Sequence, residues 1–275
     1  MNSDSLNQNI DYVSSSGHIL SVEQKAALQS SLVILKNQQK FKTVEFWGKV
    51  TGTKNEYFIV QGIGTDQIKD RKTLYSLDCI KWGLMPTPNE ETRRKCTLIK
   101  GRFTGDPSHE YEHSEKNNDE ELNEEEGNMI IVKEEDRLAI VVENICRDVS
   151  IVPRGAFLRT PLGEVIKNKA FEGLSSTEAL RLTSYFHFRD PILLHQKTLL
   201  EQADLDKAID FLDPIVTDIP VDGSWSIQAE RGHSLIVIRS LHWLGFTFYH
   251  VPETNSYGYV YFGTGEKNLD LPFML

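Results

Sequence analysis

Cysteine is scarce. The 275 residues hold three, Cys79, Cys96 and Cys146, far apart and without a C-x-x-C pair. An odd count at such spacings excludes a disulfide-stapled secreted framework. No Asn-x-Ser/Thr sequon occurs, and the opening MNSDSLNQNIDYVSSSG has neither the basic run nor the apolar run of a signal peptide. Long hydrophobic runs are also missing. The longest, Leu138–Val142, is five residues, against about 20 for a membrane-spanning helix. No G-x-S-x-G nucleophile turn and no G-K-[ST] phosphate loop is present. Gly62-Ile63-Gly64 and Gly263-Thr264-Gly265 read as turns requiring positive φ, not as phosphate cradles. These absences leave a soluble globular chain of a reducing compartment, with no membrane segment. It is long enough to bury its own core without a metal or disulfide.

Basic residues are outnumbered, 30 to 40, for a net charge of −10. An acidic surface repels phosphate backbones, so no nucleic-acid partner is expected. The excess is local: Glu110–Glu126 holds nine acidic residues and one lysine, leaving only −2 for the rest of the chain. That stretch has too few apolar side chains to offset its ordering entropy, so residues 104–128 are expected to form a mobile, acidic, disordered internal loop.

Residues 1–20 are rich in Ser, Asn and Asp and are expected to be flexible, with a single α+β domain over 21–275 interrupted by that loop. Ser21-Val22-Glu23-Gln24 is a capping box, and Ala27, Leu28, Leu32 and Leu35 continue an amphipathic helix over 22–37. Val44–Val50 and Tyr57–Val60 alternate around a turn and predict a β-hairpin. Lys72–Leu77 and Leu98–Phe103 read as further strands. Leu138, Val142, Ile145 and Val149 share one helical face, and Glu134, Glu135 and Asp136 suit the positive end of a helix dipole, so a helix is predicted over 134–147. Val149–Val152 is a short strand. Ser175-Ser176-Thr177-Glu178 is a second capping box, opening a helix whose apolar face would be Leu180, Leu182, Tyr185 and Phe186. Helical pieces are expected over 198–202 and 205–212. Trp225–Ala229, Leu235–Arg239, Gly245–Val251 and Tyr257–Tyr261 form a β-meander. The order of elements is not βαβ, so the fold class is α+β with an antiparallel sheet, built from the N-terminal hairpin and the C-terminal meander and packed with several helices.

Catalytic signals are weak. His109-Glu110-Tyr111-Glu112-His113 matches H-E-x-x-H, which on a helix puts two imidazoles on one face with a glutamate to activate zinc-bound water. Its flanks are acidic and polar, with no apolar periodicity to dock such a helix, so a zinc-dependent hydrolase using His109, Glu110 and His113 is only the alternative reading. Cys146 has no implied base and reads as core or helix edge. His187 and His242 read as hydrogen-bonded core histidines. What the chain has in quantity is aromatic area near its end: Trp243, Tyr257, Tyr259 and Tyr261 precede a tail finishing Phe273-Met274-Leu275. Tyrosine and tryptophan suit interfaces because each buries a large area and keeps a polar tip. These seven residues are the candidate partner-interface set. The tail either packs on its own sheet or docks on a partner.

The segments FWGKVTGTKNEYFIVQG (46–62), RKTLYSLDCIKW (71–82), GRFTGDPSHEYEH (101–113), RLAIVVENI (137–145), VPRGAFLRTPLGEV (152–165), FEGLSSTEALRLTSYFHFRDP (171–191), GSWSIQAERG (223–232) and the run from Arg239 to Leu275 resemble the axonemal radial spoke head family. The FWGK…YFIV hairpin, the IVPRG turn and RSLHW are also similar to its larger members, head proteins 4 and 6. The resemblance implies a non-enzymatic structural subunit of the radial spoke head, in the cytoskeleton of the cilium or flagellum, needed for spoke head assembly and regulated motility. Implied partners are radial spoke head proteins 4 and 6, head proteins 1 and 10, spoke stalk protein 3 and the central pair projections; spoke heads of the family are dimeric assemblies, which leaves a homodimer of this chain open. It implies no cofactor and supplies no catalytic residue.

Overall fold

The computed structural model describes residues 1, 5–114, 129–221 and 223–274. Helices α1 (Leu6–Val13) and α2 (Val22–Gln38) lead into strands β1 (Thr43–Thr51), β2 (Glu56–Ile63), β3 (Arg71–Ser76) and β4 (Gly83–Leu84). Helix α3 (Glu90–Leu98), strands β5 (Glu110–Ser114) and β6 (Met129–Lys133) and helix α4 (Glu134–Val149) follow. Then come β7 (Ile151–Pro153), β8 (Phe157–Arg159), β9 (Val165–Lys167), helix α5 (Ser176–Ala179), β10 (Tyr185–His187) and helix α6 (Leu199–Ala203). The meander β11 (Trp225–Glu230), β12 (Leu235–Ser240), β13 (Phe246–Val251) and β14 (Ser256–Gly263) comes last.

Hairpin and meander are not two sheets. They join in one eight-stranded sheet of order β11-β12-β13-β14-β1-β2-β3-β4. All neighbours are antiparallel except β1 and β14, which run parallel with Gly48 opposite Tyr261. The mixed α+β class with an antiparallel-dominated sheet is therefore as read from the sequence, with one parallel seam at its centre. The seam has a residue-level cause. The β1–β2 register slips between Phe46 and Gly48, so Val44 and Phe46 face one side of the sheet while Val50, at the same even spacing, faces the other with Trp47. Gly48 has φ +146°, and a Cβ there would lie 2.0 Å from the Tyr261 carbonyl oxygen. Only glycine lets the two backbones meet.

Period-two alternation then fills two cores. Tyr57, Ile59, Ile236, Ile238, Phe246 and Phe248 pack under α4. Phe58, Val60, Leu235, Val237, Tyr249 and Val260 pack under α1 and α2. Helix α2 opens with the expected capping box, Ser21 accepting from the Gln24 amide while Gln24 accepts from the Ser21 amide. The flexible N-terminus is corrected: Leu6, Ile10 and Val13, at i, i+4 and i+7, are buried in the second core. Burial of each contributes about 1.5–3 kcal/mol, enough to order a short helix whose polar residues dominated the sequence reading.

Residues 104–114 are corrected too; 115–128 of that expected loop lie outside the described residues. Glu134, the first residue of α4, is buried and accepts six hydrogen bonds: from the hydroxyls of Tyr57, Thr104 and Tyr111, each at 2.6 Å, and from the amides of Thr104 (2.8 Å), Gly105 (2.7 Å) and Asp106 (3.2 Å). Burial alone would raise its pKa, but the donors, Thr104, Tyr111 and Tyr57 foremost, outweigh that and hold it at about 2. This carboxylate pins 104–111 onto α4 ahead of the β5–β6 pairing. Leu98–Phe103 is not a strand. The Asn89 side chain caps α3, which carries the chain to Leu98, and Phe103 is buried under the Arg137 guanidinium. Helix α5 has its capping box but stops at Ala179. Tyr185 continues as strand because it packs against Phe248 and donates to the Ala179 carbonyl at 2.8 Å. Residues 205–212 are turns, since Asp206 and Asp210 accept local amides and Asp210 pairs with Arg154 at 2.7 Å.

Gly48→Ala is expected to destabilise the chain by at least about 3 kcal/mol in urea unfolding, from overpacking plus left-handed backbone strain. An unchanged midpoint would show that β1 and β14 can part without cost. Acid should also weaken the fold. Burial lowers the pKa of His18 and of His250 from 6.5 to about 4. The unfolded chain thus binds protons first, and stability falls from pH 6.5 toward 4 by about 1.4 kcal/mol per pH unit for each histidine. Glu134 adds a loss as pH falls from 4.5 toward 2. Urea titrations across this range check the slope, and His250→Gln should flatten its upper limb.

Candidate partner-docking surface

The candidate residues divide sharply by burial. Trp243, Tyr259 and Tyr261 belong to the core under α4. Tyr257 is half-buried against Phe171 and His250. Strands central to a sheet give both faces to packing, so the aromatic density of β13 and β14 is consumed internally. Trp243 does more than fill space. Its indole N–H donates to Asp148 Oδ2 at 3.1 Å, Lys267 Nζ reaches the same oxygen at 2.8 Å, and that ammonium lies over the indole ring. Burial would raise the Asp148 pKa, but Lys267 and Trp243 outweigh it and hold the carboxyl below its ordinary range.

This rivet fixes the start of the tail on the end of α4. The Asn268 amide then donates to the His242 carbonyl at 2.7 Å and its side chain to the Leu241 carbonyl at 3.2 Å. Leu271 is buried. One turn of 3₁₀-helix over Leu271–Phe273 leaves Phe273 88% and Met274 71% exposed. Leu275 lies outside the described residues. Leu244 and Leu269 are exposed beside this turn. His242 Nε2 meets the Ile219 carbonyl at 2.8 Å, bringing in a loop whose Ile219 and Val221 are 80% and 62% exposed. That loop is itself anchored: Asp218 accepts from the Trp225 indole at 2.8 Å and bonds buried His187 at 2.9 Å. Ile219, Val221, Leu244, Leu269, Phe273 and Met274 therefore project from three tethered segments into solvent. Exposed apolar side chains on fixed segments are the chemistry that a partner contact would use.

A second apolar cluster was invisible in the sequence. Asp213 accepts the amides of Ile192 (2.6 Å), Leu193 (3.1 Å) and Leu194 (2.9 Å), holding Ile192 and Leu193 outward. Nearby α6 carries exposed Leu199 and Leu200 behind a Thr198–Glu201 capping box. The signal available was paired leucines on a capped helix too short to have a buried face.

The H-E-x-x-H motif does not form a helical pair. Glu110 to His113 is strand, so about 13 Å of extended chain separates His109 from His113. Cys146 is half-buried and its sulfur accepts from Trp47 Nε1 at 3.1 Å and Gln61 Nε2 at 3.2 Å, a packing role, with burial raising its pKa.

Among the described residues the tail face gathers exposed apolar side chains on tethered segments, and the comparisons give the class of the chain. Residues 1–154 match the family model of radial spokehead-like proteins. The chain belongs to that family. Over its full length, and theirs, it is 52% identical to the Radial spoke head protein 9 homologs of Homo sapiens (277 residues aligned) and Danio rerio (278 aligned), and 50% identical to that of Bos taurus (277 aligned).

The tail is expected to contribute unequally to folding. Leu271→Ala should lower stability by about 2–4 kcal/mol, whereas Phe273→Ala and Met274→Ala should each stay within about 0.5 kcal/mol in thermal or urea unfolding. A large loss on Phe273→Ala would move that ring into the core.

Proposed function

We propose that this chain is a non-enzymatic structural subunit of the axonemal radial spoke head in cilia or flagella, acting by protein–protein contact. It assembles with radial spoke head proteins 4 and 6, alongside head proteins 1 and 10 and spoke stalk protein 3, and helps present the head to the central pair during regulated motility. Full-length similarity to the radial spoke head protein 9 homologs supports the placement. The observation that carries the contact role is the tethered tail: a segment fixed by Asp148, Lys267 and Asn268 that nonetheless holds Phe273 and Met274 in water. An anchored apolar side chain loses little conformational freedom on binding, so most of its transfer free energy is available for association.

Phe273→Ser with Met274→Ser is the test. Each side chain is worth about 1.5–3 kcal/mol when fully buried, so affinity for co-expressed head protein 4 or 6 should fall tenfold or more. The melting temperature should not change. Unchanged co-purification would remove the tail from the interface. Absence of the tagged wild-type protein from detergent-extracted axonemes would overturn the placement itself.

A further inference from the structure

The chain is acidic, yet one groove of about 570 Å³ reverses that sign. It is lined by α4, the segment Met85–Pro88, the start of β3 and Arg189. Arg71, Lys72, Arg93, Arg147 and Arg189 line it, against two carboxylates, Glu143 and Asp190. Glu143 is already committed, since Arg93 holds it at 2.6 Å. The cations are less committed. Lys72 is exposed and makes no ion pair among the described residues. Arg147 is exposed and its one carboxylate, Asp148, is at 3.5 Å and is shared with Lys267. Arg189 donates from NH1 to the Arg147 carbonyl, but its Nε is buried without a partner. Like charges gathered around a concave surface focus potential and cost folding energy unless something neutralises them.

The shape specifies the ligand further. Between the cations the walls are apolar, from Met85, Ala139 and Val142. Strand β4 pairs only with Leu74 and Tyr75 of β3, and the Met85 amide makes the last bond of that ladder, to the Thr73 carbonyl at 3.0 Å. Beyond it, among the described residues, Arg71 and Lys72 have β2 as their only strand neighbour. Apolar walls with a cationic rim and a partly open strand edge match an extended chain with aliphatic side chains on one side and carboxylates on the other.

We propose that this groove is a docking site for an acidic, extended peptide segment of a partner protein. Its carboxylates pair with Lys72, Arg147 and Arg189, its alternate aliphatic side chains meet Met85, Ala139 and Val142, and its backbone borders Arg71–Thr73. The site is separate from the apolar tail surface.

The probe is a short fluorescent peptide alternating glutamate with valine, titrated into the full chain by anisotropy. Binding should saturate and weaken as salt rises. Lys72→Glu with Arg147→Glu, both exposed positions, should lower affinity at least about tenfold with the melting temperature unchanged. Should that pair disturb folding, Lys72→Gln with Arg147→Gln should still weaken binding in the same direction. Phe273→Ser should leave peptide binding untouched, which separates this site from the tail. The proposal fails if the peptide does not bind, if the charge-altered variants bind it equally well, or if a lysine–valine peptide binds as tightly. It also fails if single-stranded RNA or polyphosphate displaces the peptide at equal charge concentration, which would make the groove a general anion patch.

Discussion

The close approach of Gly48 to Tyr261 is the constraint on which the rest of the architecture depends. It makes the N-terminal hairpin and the C-terminal meander one sheet, and each helical layer then covers strands from both. Val44 and Val60 share a core with Leu235 and Val237. Tyr57 and Ile59 share the other with Ile236 and Phe248. Residues 1–154, the part matching the family model, contain α1 to β7 but not the strands that complete their sheet. That segment cannot bury its own apolar faces without β11–β14, which accords with the relatives matching from end to end.

Carboxylates hold the connections. Besides Glu134, the Asp66 side chain accepts the amides of Ile68 (2.7 Å), Lys69 (2.9 Å) and Val165 (3.3 Å), and Asp213 fixes 192–194. A carboxylate accepting two or three amides replaces its hydration with stronger, charge-assisted bonds. Long irregular stretches thereby become rigid without regular structure. The acidity of the chain thus divides into a stretch concentrated in the sequence at 110–126 and single buried acids with structural work, and formal charge does not distinguish the two.

Elements whose determinants are local could be read directly. Both predicted capping boxes exist, α2 and α4 fall within two residues of their expected limits, and the period-two strands are strands. Failures occurred where a distant partner decides. Leu98–Phe103 reads as a strand, but Arg137, far along the chain, covers the buried Phe103 ring. Tyr185 fits a helical face until Phe248 and Ala179 claim it. Glu134 reads as a favourable first-turn acid; its six donors come from residues 23 to 77 positions away. The candidate surface was half legible for the same reason. Tyr259 and Tyr261 have the composition of an interface, and only the position of β14 between β13 and β1 shows that both faces are occupied. Phe273 and Met274 were readable as alternatives, core or contact; Leu271 takes the core place in the tail, and both of these side chains are exposed.

Rigidity and exposure together suit a surface to binding. A binding surface loses affinity when its side chains and loops must be ordered on contact. Here the apolar side chains stand on segments already tied down by Asp148, Asn268, Asp213 and Asp218, so the ordering was completed during folding. The Asp148 and Asp218 tethers lie together at the C-terminal end of α4. Asp148 faces the tail through Lys267 and Trp243, while its neighbour Arg147 lines the basic groove. The weak Arg147–Asp148 contact at 3.5 Å links the two.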